Sequence, residues 1–114
     1  MAYQRSIEWI KENTTPGEDK IGIFQAEIIP YYIDNDFVNL DGKCNVNAMR
    51  AIRNKRMLQF IQDEEIDYVL DRESIINTLL FKRSEKDSTG AFSLMKRYKG
   101  SGETWVIFKV NDSQ

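Results

Sequence analysis

Apolar and polar residues alternate along this chain in short blocks that change period several times. In residues 3–12, Tyr3, Ile7 and Ile10 recur at the i, i+4, i+7 spacing of one helical face, with Trp9 at its margin. Asn13-Thr14-Thr15-Pro16-Gly17 then stops the helix, because proline cannot continue it and glycine permits a turn. Residues 20–25 (KIGIFQ) are apolar at successive positions, as in a strand covered on both faces. Within that strand Gly22 leaves room for a close neighbour. Residues 26–33 predict a short irregular helical turn around Pro30, and residues 37–40 (FVNL) a second strand closed by Asp41-Gly42.

The longest helical stretch is 46–64. Ala48, Met49 and Ile52 define one apolar face, and Met57, Phe60 and Ile61 define another, rotated by roughly a third of a turn at 3.6 residues per turn. That rotation predicts two helices with a break at Asn54, a residue type that tolerates the left-handed conformation found at helix ends, with a single bent helix as the alternative. Residues 66–70 (IDYVL) predict a third strand ending at Asp71. Residues 72–81 then predict a helix capped by Ser74, and 82–90 a polar loop. Residues 92–98 and 104–110 predict a hairpin across Gly100-Ser101-Gly102. In its second strand Val106, Phe108 and Val110 share one face, and Trp105 and Ile107 the other.

Strands alternating with helices imply a single α/β domain over residues 1–114. The expected architecture is three-layered. Its sheet of about five strands is mainly parallel, with the C-terminal antiparallel hairpin at the edge and the three earlier strands central, side by side and mutually parallel. Ile23 and Val69 are then core positions.

Composition narrows the chemistry. The chain has no histidine and a single cysteine, Cys44, so histidine-dependent nucleophilic catalysis, a zinc knuckle and an internal disulfide are excluded. The formal charge of −2 does not favour a nucleic-acid partner, and no apolar run reaches the roughly 20 residues of a membrane span. Neither phosphate-loop pattern occurs, and no cofactor is implied.

In a parallel sheet, ligands sit beyond the carboxyl ends of the strands. Those ends carry Gln25, Asn39, Asp41 and Asp71, with Asn45 beginning the following helix. These five residues are the candidate ligand-binding set. Asp41 and Asp71 are also of the type that holds Mg²⁺, which would make a small Mg²⁺-dependent enzyme. The competing explanation is structural: Asp41-Gly42 is an ordinary turn pair, and Asn45 or Asn47 can cap the helix. On that explanation no residue is catalytic and no metal is held.

Several segments together resemble a known group of proteins. They are I-G-I-F-Q-A over 21–26, Tyr32, V-N-L-D-G-K-x-N over 38–45, I-D-Y-V-x-D over 66–71, and W-I-x-x-N-x-x-P over 9–16. The chain resembles a region near the C-terminus of bacterial multispanning membrane proteins described as polyprenyl-phosphate-sugar-dependent glycosyltransferases. The resemblance covers roughly residues 5–72. It implies a non-catalytic domain of a larger membrane protein, on the extracytoplasmic face of the bacterial cytoplasmic membrane. Its implied partners are the membrane-embedded remainder of the same chain and a carbohydrate or lipid-linked sugar. The alternative is a small-molecule-binding α/β domain that uses the strand-end edge.

Overall fold

The structure, a computed structural model, describes residues 2–24, 33–40, 45–82 and 89–111. Helix α1 (Ala2–Asn13) leads into β1 (Ile21–Ile23) and β2 (Phe37–Asn39). Helices α2 (Val46–Arg53) and α3 (Met57–Asp63) precede β3 (Tyr68–Arg72). Helix α4 (Glu73–Ile76) continues as a π-helical segment, Asn77–Lys82, before β4 (Phe92–Lys99) and β5 (Thr104–Val110) close the fold.

The strands form one five-stranded sheet in the order β2-β1-β3-β5-β4. β1 pairs in parallel with both β2 and β3, as the sequence predicts. The expectation of a mainly parallel sheet is corrected: β3 pairs antiparallel with β5, and β5 with β4, so the sheet is mixed. The hairpin is no minor margin. Its strands are the longest, at 8 and 7 residues, and β5 makes a five-residue ladder along the free side of β3. This docking puts β3 at the centre and leaves β2, which was expected to be central, at an edge. It also moves the third strand. Pairing of Asp71 with Val106 and Arg72 with Trp105 carries β3 past Leu70, so Asp71 lies within the strand rather than beyond it.

The side-chain alternation of β3 and β5 divides the core in two. On one face Ile7 and Ile10 of α1 pack on Ile21, Ile23, Leu70 and Ile107, flanked by Tyr3, Trp9, Tyr68, Tyr98 and Trp105. On the other face Ala48 and Ala51 of α2, Met57 and Ile61 of α3, and Ile76 and Leu80 pack on Val69 and Val106. Phe108 and Val110 join Val106, and Trp105 joins Ile107, as the period-two pattern requires. Gly22 lies under Leu40 and Ile66. A Cβ there would meet Leu40 Cδ1 at 3.0 Å and Ile66 Cγ2 at 3.2 Å, which explains the glycine in this strand.

The chain does divide at Asn54, the C-cap of α2. The left-handed residue, however, is the next one, Lys55, at φ 58°. The Lys55 N–H donates to Ile52 O and the Arg56 N–H to Ala51 O, the paired bonds of a Schellman closure. The end of α3 repeats the device, with Glu65 at φ 56° and N–H donations from Glu65 to Gln62 O and from Ile66 to Ile61 O. Both helices therefore stop without a glycine. The helix expected over 72–81 begins instead at Glu73, and Ser74 lies inside it rather than capping it. No helix among the described residues is long and apolar enough to cross a membrane. The turn expected over 26–33 falls largely outside the described residues, as does most of the loop expected over 82–90.

Candidate functional site

Gln25 and Asp41 lie outside the described residues, as do Lys43 and Cys44. The remaining three candidates, Asn39, Asn45 and Asp71, are placed, and the two asparagines are brought together. Asn45 is the N-cap of α2. Its Oδ1 accepts the N–H groups of Asn47 at 3.1 Å and Ala48 at 3.2 Å, two donors that the first helical turn leaves without a partner. Its Nδ2 donates to the backbone carbonyl of Asn39 at 2.9 Å, clamping the end of β2 to the start of α2. Of the two possible caps, Asn45 fills the role. Replacing Asn45 with alanine is expected to lower stability by about 1 kcal/mol, the usual worth of an N-cap, read as a shift in the urea midpoint.

Asp71 is fully buried. Its Oδ2 accepts the N–H of Phe24 at 3.0 Å, and its Oδ1 accepts the N–H of Arg72 at 2.7 Å. The first bond supplies a partner just past the last β1–β3 ladder position, where β1 has ended and β3 runs on. A carboxyl group with two acceptor oxygens can do this without leaving its own strand. Arg72 Nε lies 3.8 Å from Asp71 Oδ1, and Arg72 Nη1 donates to Glu103 Oε1 at 2.9 Å. Asp71 thus ties β1 to β3, and Arg72 links β3 to Glu103 just before β5. Among the described residues no three cysteine or carboxylate side chains converge to hold a metal ion.

Besides a cleft of about 360 Å³ along α1, beside Tyr3, Ile7 and Lys11, two clefts open at the opposite end of the sheet. One, of about 400 Å³, lies between Glu18, Gln62, Glu65, Asp67 and Asn111. A second, of about 210 Å³, is bounded by Glu18, Asp19, Lys20, Asp36, Glu65 and Asp67. These are the amino ends of the parallel strands. The Lys20 N–H donates to Asp67 Oδ2 at 2.8 Å, and Lys20 Nζ reaches Glu64 O at 2.8 Å. Nearby, burial, then the charges of Asp19 and Asp67, raise the Tyr68 phenol above its ordinary value. The candidate residues of the sequence all belong to the carboxyl edge, and none lies at this end. The signal was nevertheless present, since an acidic residue stands one or two positions before each parallel strand, at Asp19, Asp36 and Asp67.

A family model described as a domain of unknown function (DUF8728) matches residues 1–109. The chain belongs to that family. The DUF8728 match begins at α1 and runs into β5, so it takes in both faces of the core and all five strands. No curated protein and no solved structure matches the chain.

Proposed function

We propose that this DUF8728 domain is a non-catalytic extracytoplasmic module of a larger bacterial membrane protein, one resembling polyprenyl-phosphate-sugar-dependent glycosyltransferases. Its partner is the membrane-embedded remainder of the same chain, with a carbohydrate or lipid-linked sugar as the second. The observation that carries the non-catalytic reading is the engagement of Asp71. A buried carboxyl that accepts the backbone N–H groups of Phe24 and Arg72 is serving the fold, and Asn45 is likewise engaged at the start of α2. The membrane setting rests on the motif resemblance over roughly residues 5–72.

Two measurements test the proposal. The native gene product is expected in the membrane fraction, with this domain open to protease in spheroplasts and shielded in inverted vesicles. Recovery in the cytosol, or the reverse protection pattern, overturns the setting. For the domain itself, amide spectra are expected to stay unchanged at Asn39, Asn45 and Asp71 when Mg²⁺ and a nucleotide sugar are added at millimolar concentration. Saturable shifts confined to those residues would instead establish a small-molecule site at the carboxyl edge.

A further inference from the structure

The outer side of the sheet at β4 combines features that the fold uses only in part, with Lys96 Nζ lying 5.8 Å from the centre of the Tyr98 ring. β4 pairs with β5 from Phe92↔Val110 to Lys99↔Thr104, and no described strand lies on its other side. Leu94 and Met95 are 53% and 41% exposed, two adjacent large apolar side chains on an edge strand. Lys96, Arg97 and Lys99 follow them and are also exposed. Arg97 is paired with Glu73 at 2.8 Å, while among the described residues Lys96 and Lys99 make no ion pair. A register shift falls between Leu94 and Lys96, so the regular part of the edge is the basic part.

We propose that β4 is a docking edge for an extended acidic segment of a partner, added alongside it as one more strand. Pairing along a free edge supplies backbone hydrogen bonds, and the flanking side chains choose the partner. Lys96 and Lys99, the edge cations that carry no ion pair among the described residues, select acidic over basic segments, with Glu8 and Glu12 of α1 opposing them near Tyr98. The positive charge also disfavours a second copy of this chain paired along the regular part of the edge, where Lys96, Arg97 and Lys99 would come near their own counterparts. The geometry favours a strand over a membrane surface. Leu94 and Arg97 lie opposite Phe108 and Val106, on the face covered by α2 to α4, whereas Lys96 and Tyr98 lie opposite Ile107 and Trp105, on the α1 face. A planar surface cannot meet both faces at once, and a strand laid along the edge can. This inference goes beyond the proposed function and does not depend on whether the carboxyl edge is inert.

The test is an amide-shift titration of the isotopically labelled chain with a synthetic peptide of repeated Glu-Val-Val units, whose glutamates, three residues apart, fall on alternate faces as Lys96 and Lys99 do. Shifts are expected along β4 from Leu94 to Lys99, with slower hydrogen exchange there and weaker binding at raised salt. The Lys96→Glu/Lys99→Glu double variant, with its amide spectrum unchanged away from β4, is expected to bind about tenfold more weakly, a loss of about 1.4 kcal/mol. Absence of shifts in β4, or equal binding of a lysine–valine peptide, overturns the proposal. Shifts in β4 produced by anionic lipid vesicles and not by the peptide overturn it in favour of a membrane surface. A concentration-dependent dimer that protects the same amides overturns it in favour of a second copy.

Discussion

Ile23→Ala is expected to destabilise the domain by about 2–4 kcal/mol, the cost of deleting buried methyl and methylene groups from a site that can only partly collapse. Ile23 is fully buried, in the middle of the cluster that α1 makes against the sheet, with Ile7, Ile10, Leu70 and Ile107 in the same group. It belongs to a strand of only three residues that is hydrogen-bonded on both sides. Neighbouring backbone is therefore held by two ladders and has little freedom to move into the space. Urea denaturation followed by circular dichroism measures the loss. A change below about 0.5 kcal/mol, the range of ordinary surface substitutions, would place Ile23 outside the core and overturn the sheet described above.

Asp71→Ala is expected to be of similar size, about 2–4 kcal/mol. Most of that comes from leaving the buried Phe24 N–H without a partner, at about 1–3 kcal/mol, and the rest from the space vacated. Asp71→Asn keeps an acceptor oxygen within reach of Phe24 and is expected to lose less than the alanine variant. The two substitutions together separate a structural carboxyl from a functional one. A carboxylate kept for ligand binding at the cost of strain would give a variant of unchanged or raised stability. The measurement is the denaturation midpoint of both variants, with and without millimolar Mg²⁺. A large loss that Mg²⁺ leaves unaltered is the expected result. Wild type stabilised by Mg²⁺, with an unaltered alanine variant, would make the carboxyl edge a binding surface.

Local pattern by itself determined much of this protein. The i, i+4, i+7 face of α1, the division between α2 and α3 at Asn54, a cap at Asn45 or Asn47 and the two faces of β5 all follow from residues close in sequence, although the buried face of α2 is Ala48 with Ala51 and leaves out Met49. The parallel pairing of β1 with β2 and β3 was legible too, because apolar strands separated by crossover-length segments leave few other arrangements.

What only the tertiary structure decided are the contacts between distant segments. Nothing local to residues 104–110 says that β5 will run antiparallel along β3. Yet that ladder makes the sheet mixed, sends β2 to an edge and carries β3 on to Arg72. In sequence Asp71 stands at the polar end of an apolar strand. It became a buried strut because its oxygens meet a backbone N–H 47 residues away, a partner no periodicity can indicate. The helix ends at Lys55 and Glu65 were equally hidden, since neither is the glycine that usually takes a left-handed angle. Hydrophobic period reports which face of an element is covered. Which element covers it, and which polar groups are consumed in joining them, depends on long-range pairing and is settled only when the sheet closes.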